Sequence, residues 1–265
     1  PRHGVRRQRQ MCIRDRGNPV NATTKQRGIL LLQIRQEARV REEEYQSFCR
    51  YGKLSSNELT IFNVFDQPQF GPEILEGYDA LIVGGASEAS VLEPEHYPFV
   101  PASIALMRHC IDHDVPVFAS CFGFQLAVLA LGGEIVRDER DFEMGTVTIN
   151  RTSEADDDPL FHDTPDGFAA VAVHRERAVA CPPGALMLAY TDACCHAFKV
   201  TRSRFWATQF HPEVDRATLI ERLTIFKQHY TNGDDHLQQV LDQAQETPDS
   251  NSLIGKFVDR IIMPG

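Results

Sequence analysis

The sequence predicts an α/β protein with a doubly wound, mostly parallel sheet, and three observations support this prediction. Continuous apolar runs at 28–34 and 79–83 are typical of parallel strands that are covered on both faces. Helical segments alternate with these runs, as in a series of βαβ units. The stretch 115–130 has the pattern of a short strand, a sharp bend at Cys121 and a helix. In such folds the functional groups gather at the carboxyl ends of the strands.

The elements can be predicted in chain order from residue 27. Apolar runs predict strands at 28–34, 59–65 and 79–83, and helices are predicted at 37–51 and 96–113. Past the bend the chain changes character, since short strands with little helix between them indicate antiparallel additions to the sheet. These strands are predicted at 143–149, 168–174, 186–190, 197–200 and 205–210. Three further helices are predicted at 218–230, 236–245 and 251–262.

The chain divides into three predicted segments. Residues 1–26 form a disordered or artefactual N-terminal segment, because 1–16 carries six arginines without periodicity and 11–16 resembles a translated sequencing-library adapter. Residues 27–230 form the α/β domain, and 231–265 form a C-terminal helical extension. The glycine-rich phosphate loop of an ATP-using domain does not follow.

Composition excludes several classes of function. The 265 residues are 42% apolar and 24% charged, with a net charge of -10, so nothing global recruits nucleic acid or an anionic membrane. No apolar run approaches the roughly 20 residues of a membrane span, and no signal-peptide core follows the basic start. We therefore expect a cytoplasmic protein. The seven cysteines indicate reduced thiols, and the adjacent Cys194 and Cys195 are interpreted as packing residues because no metal-ligand spacing accompanies them.

An acidic run at Asp156, Asp157 and Asp158 allows two interpretations. It could hold a cation, but consecutive carboxylates point in different directions and the spacing of a calcium loop is absent. A solvated loop and helix cap is the favoured interpretation.

Cys121 has the surroundings of a nucleophile. A sharp turn between strand and helix needs small neighbours, and Ala119, Ser120 and Gly123 supply them. A thiol at the start of a helix lies near unpaired N–H groups and the positive end of the helix dipole, which favour the thiolate. An inert buried cysteine is the alternative.

A second informative stretch ends the last predicted strand at His211, Pro212 and Glu213. A cysteine nucleophile needs a base within hydrogen-bond reach, and the base needs a carboxylate on its other nitrogen to fix its tautomer. Cys121, His211 and Glu213 supply all three groups. The alternative is a surface histidine beside a helix-capping glutamate.

Together these motifs resemble the class I glutamine amidotransferase family, especially its GMP synthase-like, free-standing members. The resemblance covers roughly residues 27–230 and rests on Cys121 in a Cys-x-Gly-x-Gln setting, on His211-Pro212-Glu213 and on Gly84-Gly85. It implies a flavodoxin-like fold and a Cys-His-Glu triad that hydrolyses the side-chain amide of glutamine through a cysteinyl thioester. No metal and no cofactor are expected.

The resemblance also implies roles for individual residues. Cys121 would be the nucleophile, His211 the base and then the acid, and Glu213 the carboxylate that orients it. The implied oxyanion hole consists of the backbone N–H groups of Gly85 and Phe122. The implied substrate-binding residues are Gly84, Gln125 and His174.

Departures from the family pattern leave the substrate open. Ala119 replaces a glycine at the bend, and charged residues follow His174 where the family has glycine. Free glutamine and γ-glutamyl peptides are both candidate substrates, so the chain is expected to be either a glutaminase that supplies ammonia to a separate synthetase subunit or a stand-alone γ-glutamyl hydrolase. A non-catalytic binding or regulatory module on the same fold is the third hypothesis.

Overall fold

The computed structural model describes residues 28–138, 142–225 and 234–263. Their centre is a nine-stranded sheet in the order β2-β1-β3-β4-β11-β10-β9-β6-β7, beside a two-stranded sheet of β5 and β8. The strands are β1 (Ile29–Gln33), β2 (Leu59–Asn63), β3 (Ala80–Val83), β4 (Val117–Ser120), β5 (Val136–Arg137), β6 (Glu143–Arg151), β7 (Phe168–His174), β8 (Glu176–Arg177), β9 (Ala185–Tyr190), β10 (Cys195–Val200) and β11 (Phe205–Thr208). The prediction of a mostly parallel α/β sheet with added antiparallel strands is confirmed.

Helices cover both faces of this sheet. They are α1 (Ala38–Gly52), α2 (Phe99–Asp112), α3 (Phe122–Ala130), α4 (Arg216–Ile225), α5 (Asp234–Gln243) and α6 (Pro248–Phe257). Alternate residues of β1 enter two different hydrophobic clusters: Leu30 packs with α2 and α3, whereas Ile29 packs with α1 and α6. The continuous apolar run of β1 is therefore explained, since every residue of the strand is buried. None of the described helices is long and apolar enough to cross a bilayer.

The order of the central strands positions the site. β4 lies between β3 and β11 and runs parallel to both, and Ser120 of β4 is in register with Thr208 of β11. Cys121 directly follows β4, and His211 follows β11. Because the carboxyl ends of parallel strands lie at one edge of a sheet, two residues 90 positions apart in the chain are brought together.

The strand predicted at 59–65 ends two residues early. The side-chain Oδ1 of Asn63 accepts a hydrogen bond of 2.9 Å from the backbone N–H of Phe65, two residues further along the chain. This local bond competes with the strand ladder, as short polar side chains commonly do. The strand therefore stops at Asn63 although apolar residues continue.

The C-terminal helices also differ from prediction at their ends. The predicted helix at 251–262 begins earlier, at Pro248, because proline is favoured in the first helical turn, and it gives way to a π-helical turn at Val258–Ile262. The predicted helix at 236–245 is α5, which begins two residues earlier. The end of the predicted 218–230 helix and the whole N-terminal segment 1–26 lie outside the described residues.

Helix α6 is packed into the fold. Leu253, Ile254 and Phe257 are buried in the same cluster as Ile29 and Phe118. The side-chain amide of Asn251 donates hydrogen bonds to the carbonyl oxygens of Pro212 (2.8 Å) and Val214 (3.0 Å). Helix α6 therefore stabilises the loop that carries His211 and Glu213.

The acidic run at 156–158 separates into exposed and buried carboxylates. Asp156 pairs with Arg151 at the surface. Asp158 is buried, and its Oδ1 accepts hydrogen bonds from the backbone N–H groups of Leu160 (2.8 Å) and Phe161 (3.1 Å). Its Oδ2 lies 3.0 Å from the indole Nε1 of Trp206. Asp158 therefore caps a turn at 159–163 rather than a helix, and it is buried rather than solvated.

Asp158→Ala is expected to lower the free energy of unfolding by at least about 2 kcal/mol, because buried donors lose their shared acceptor. The exposed Asp157→Ala serves as the matched control and should change it by less than about 0.5 kcal/mol. Urea denaturation followed by Trp206 fluorescence measures both. Equal stability of the two variants would contradict the capping role.

Candidate active site

Cys121 occupies a strained bend between β4 and α3. Its backbone has φ 50° and ψ -98°, a conformation that a residue with a side chain rarely adopts. The strain is held in place from both sides, because the Cys121 N–H donates to Thr208 O (2.7 Å) and its carbonyl accepts from Gln125 N (3.1 Å). A non-glycine residue fixed in such a conformation is typical of functional sites.

The bend tolerates only small neighbours, as predicted. Ala119 and Ser120 are fully buried. A Cβ atom placed on Gly123 would lie 2.9 Å from the Cβ of Val83, which is closer than real contacts of this kind. Gly123 therefore allows α3 to start directly against β3.

The structure brings His211 and Glu213 to the same edge. The Nδ1 of His211 lies 2.7 Å from Oε1 of Glu213, and both side chains are buried. The other carboxylate oxygen of Glu213 accepts a hydrogen bond of 2.9 Å from Ser120 Oγ. The imidazole of His211 contacts the Cys121 thiol on its far side. The three residues therefore form a continuous hydrogen-bonding chain from thiol to carboxylate.

The charges around His211 favour the protonated form of its imidazole. Burial alone would lower the pKa of His211, but negative charge on Cys121 and Glu213 outweighs burial and raises the pKa to about 9. Burial would raise the pKa of Glu213, but the charge of His211 and its hydrogen bond lower the pKa to about 2. The charge of Glu213 thus favours the imidazolium form of His211 at neutral pH.

Gly84 and Gly85 are both closely packed, and Gly85 lies against His211. A Cβ on Gly85 would be 2.9 Å from Cε1 of His211 and 3.6 Å from the Cβ of Cys121. A Cβ on Gly84 would be 2.7 Å from Oε1 of Glu44, which is buried in an ion pair with Arg35. Both glycines are needed for close packing.

The two residues whose N–H groups are expected to form an oxyanion hole, Gly85 and Phe122, both neighbour Cys121. Gly85 lies beside Cys121, as the short distance from its hypothetical Cβ shows. Phe122 is the first residue of α3, where a backbone N–H has no intrahelical acceptor. Gly85 and Phe122 are therefore both neighbours of Cys121, Gly85 through space and Phe122 along the chain.

A cavity of about 300 Å³ opens beside Cys121. Gln125 and His174 line it, whereas Gly84 is not among its lining residues. The amide of Gln125 is already engaged, since its Nε2 donates to the carbonyl oxygen of Glu176 at 2.9 Å. Charged side chains complete the wall and include Glu88, Glu93, Arg137, Arg175 and Glu176.

Several contacts around the site carried no sequence signal of their own. The Nε2 of Gln209 lies 3.7 Å from Cys121 Sγ, and Ser120 and Asn251 support Glu213 and its loop. Glu143 contacts His174 and His196, and Cys194 lies 3.6 Å from Oε2 of the same carboxylate. These partners are 30 or more residues apart in the chain, so local spacing could not reveal them.

Comparison with known proteins gives a consistent family match. The profile of the family described as glutamine amidotransferase class-I matches residues 46–226. The GMP synthase (glutamine-hydrolyzing) of Thermotoga maritima is 28% identical over 176 residues, which are 66% of this chain and 32% of that protein. A gamma-glutamyl-L-1-hydroxyisopropylamide hydrolase from Pseudomonas sp. is 29% identical over 149 residues, 53% of this chain and 48% of that protein. The chain thus spans about a third of the GMP synthase and about half of the hydrolase.

Solved structures agree on the fold. A glutamine amidotransferase from Thermotoga maritima superposes with a TM-score of 0.71 at 18% identity, covering 89% of this chain and 98% of that one. A glutamine amido transferase from Methylobacillus flagellatus gives a TM-score of 0.65 at 17% identity, covering 88% and 92%. The flavodoxin-like arrangement expected from the sequence is confirmed.

Proposed function

Because the chain belongs to the class I glutamine amidotransferase family of cysteine-dependent amidohydrolases, we propose that Cys121, His211 and Glu213 hydrolyse the γ-carboxamide of glutamine to glutamate and ammonia. One observation carries the assignment of residues: a cysteine at a strained bend contacts an imidazole that is held 2.7 Å from a buried carboxylate. This is the arrangement that nucleophilic catalysis by a thiol requires.

The first step is attack of the Cys121 thiolate on the γ-carbonyl carbon, which forms a C–S bond and a tetrahedral oxyanion. The N–H groups of Gly85 and Phe122 stabilise this oxyanion, each by about 3 kcal/mol. The imidazolium of His211 then gives its proton to the amide nitrogen, and ammonia leaves as the C–N bond breaks.

The second step releases glutamate. His211, now neutral, accepts a proton from water that attacks the thioester carbonyl, and collapse of the second tetrahedral intermediate returns the thiolate. Glu213 keeps Nδ1 protonated throughout, so that Nε2 faces the sulfur and the leaving group. Raising the pKa of His211 to about 9 keeps the acid available at neutral pH.

The cavity beside Cys121 is the proposed substrate site. Gln125 fixes the position of the Glu176 carbonyl, and His174 forms part of the wall. Glutamine carries both an α-ammonium and an α-carboxylate, and the wall offers side chains of both charges within about 300 Å³. Gly84 is proposed to act by letting the backbone pass close to Glu44 rather than by contacting substrate.

A γ-glutamyl amide with a larger amine is the second candidate substrate. Charged residues stand after His174, and the segment from Ala86 to Ser90 lines the same cavity, so its wall reaches beyond the immediate surroundings of the thiol. The relative from Pseudomonas is named as a hydrolase of such an amide. The chemistry is unchanged, because only the leaving group differs.

A separate synthetase subunit is the proposed acceptor if ammonia is the product. One relative, from Methanocaldococcus jannaschii, is named as an individual subunit of a glutamine-hydrolyzing GMP synthase and is 33% identical over 113 residues, 40% of this chain and 57% of that protein. If this chain also acts as one subunit of a synthetase, its ammonia passes to the partner, whereas a stand-alone hydrolase releases its product to solvent.

Purified protein should release glutamate from glutamine and from γ-glutamyl alkylamides, and asparagine should be a much poorer substrate because its carboxamide is one methylene closer to the backbone. Glutamate, ammonia and free amine are measured separately for each compound. Turnover of the alkylamides without turnover of glutamine would select the second candidate. Absence of glutamate from every γ-glutamyl compound would reject both.

A further inference from the structure

Four potential metal ligands meet behind the wall of the substrate cavity. They are Glu143, His174, Cys194 and His196, and one ligand atom from each lies within 4.8 Å of all the others. Three of the four are buried, and the two imidazoles have exposed fractions of 2% and 0%. The proposed catalytic steps use none of these atoms as a base or nucleophile.

The fold brings the four residues together from three strands. Glu143 and His174 are directly opposite each other at the open end of the β6–β7 pair. Cys194 immediately precedes β10, and His196 lies within that strand. In the sheet β9 separates β10 from β6, so the end of the β6–β7 pair must fold over the start of β10 to make these contacts.

All three partners approach the same oxygen of Glu143. Oε2 lies 2.7 Å from Nε2 of His196, 2.9 Å from Nε2 of His174 and 3.6 Å from Sγ of Cys194. Oε1 is held separately by the hydroxyl of Thr191 at 2.8 Å. Two imidazole nitrogens and a thiol therefore converge on one point.

His174 is poorly satisfied by protein partners alone. Neither of its ring nitrogens makes an aligned hydrogen bond within the described part of the chain, although Nε2 is close to Glu143. A buried polar group without an aligned partner destabilises the folded protein. Its Nε2 points into the cluster, where a bound cation would satisfy the nitrogen lone pair.

We propose that Glu143, His174, Cys194 and His196 form a site for a divalent transition metal, for which zinc is the best match. Imidazole nitrogen, thiolate sulfur and carboxylate oxygen are the donors that zinc uses in proteins. Bond lengths of about 2.0–2.3 Å place the donors of a tetrahedral zinc site about 3.3–3.8 Å apart. The four donors fit this after small side-chain movements.

Binding releases protons. The thiol of Cys194 must lose its proton to become a ligand, and each imidazole must present an unprotonated Nε2, so its proton moves to Nδ1 or to solvent. Affinity at this site therefore increases with pH.

A metal there would fix the cavity wall. His174 lines the cavity, and the carbonyl oxygen of the preceding Val173 lies 4.0 Å from Cys121 Sγ. Ligation of His174 and Glu143 to Cys194 and His196 would fasten the end of the β6–β7 pair onto β10. His174 is thus shared by the cavity wall and the proposed metal site, whereas Glu143, Cys194 and His196 are not among the residues that line the cavity.

The test must avoid metal held by the Cys121 and His211 pair. The parent protein for the measurement is therefore the Cys121→Ala variant, titrated with Co²⁺ and then with competing Zn²⁺. We expect a thiolate-to-cobalt charge-transfer band and the intense visible bands of tetrahedral cobalt, both removed by Zn²⁺. The neighbouring Cys195→Ala, made in the same parent, is the matched control and should keep both bands, because its sulfur contacts Ala197 O rather than Glu143.

Adding Cys194→Ala to the parent should abolish the charge-transfer band, and adding His196→Gln should weaken zinc binding by at least about tenfold, the effect expected even of groups outside the ligand shell. Circular dichroism establishes whether each variant is folded. If one of the two variants does not fold, the result from the other is enough to test the proposal. No thiolate band in the parent, or a band that survives Cys194→Ala, would overturn the assignment.

Discussion

Cys121→Ala is expected to lower kcat/KM for amide hydrolysis by at least about 10⁴-fold, since removal of a catalytic nucleophile leaves only binding and oxyanion stabilisation. The thioester cannot form, and neither His211 nor water can replace a bond to sulfur. Glutamate release is measured at saturating substrate, which gives kcat, and at low substrate concentration, which gives kcat/KM. Acid-quenched wild-type protein should carry a glutamyl adduct by intact mass, and the variant should carry none.

The fold of this variant should be preserved. Alanine keeps the Cβ that the bend already accommodates, and Cys121, which lines the cavity, is only 5% exposed as a whole residue. Cys110→Ala is the matched control, because Cys110 is a buried thiol in α2 that should not react. Hydrolysis by Cys121→Ala at a substantial fraction of the wild-type rate would show that Cys121 is not the nucleophile.

The sequence predicted the site more fully than it predicted the surroundings. Cys121, His211 and Glu213 could be proposed because each stands at a strand end, where apolar runs stop and a turn begins. Their meeting requires β11 to insert beside β4 after a long antiparallel excursion, and no local pattern specifies that neighbour. The motif resemblance supplied what periodicity could not.

Residues that act through contacts across the fold were not predictable. The sequence indicates only that Ser120 is a small residue needed by the bend, but its hydroxyl also donates a hydrogen bond to Glu213. The sequence indicates only that Asn251 starts a peripheral helix, but its side-chain amide donates hydrogen bonds to the carbonyl oxygens on either side of Glu213. The same holds for Cys194, which sequence spacing assigned to packing and which lies against Glu143. Such roles depend on side chains from strands and helices far apart in sequence.

Glu213→Gln is expected to lower kcat by about 10³- to 10⁴-fold. The buried amide can donate a hydrogen bond to Nδ1, which stabilises the tautomer with the proton on Nε2 and leaves no base facing the thiol. Ser120→Ala is the matched control: it removes the other hydrogen bond to the carboxylate but keeps the charge, so the loss should be much smaller. Equal losses in the two variants would show that Glu213 acts only through packing.

The pH dependence separates charge from shape in the same variant. Negative charge on Glu213 contributes to the raised pKa of His211, about 9, so the neutral amide should move the alkaline limb of the rate profile to lower pH.

The free energy of unfolding should also depend on the ionisation of His211 and Glu213. The raised pKa of His211 contributes stability that is complete below its ordinary value of 6.5 and is lost as pH rises through 9. The lowered pKa of Glu213 contributes stability that is complete above 4.5 and is lost as pH falls through about 2.

The difference in unfolding free energy between wild type and Glu213→Gln should therefore be largest between about pH 4.5 and 6.5 and should shrink on both sides of that window. Urea denaturation across this pH range measures the difference, with Ser120→Ala as the reference that keeps both charges. A difference that does not vary with pH would mean that His211 and Glu213 are not an ion pair. A maximum in this window together with an acid-shifted alkaline limb would tie the rate and the stability to one electrostatic interaction.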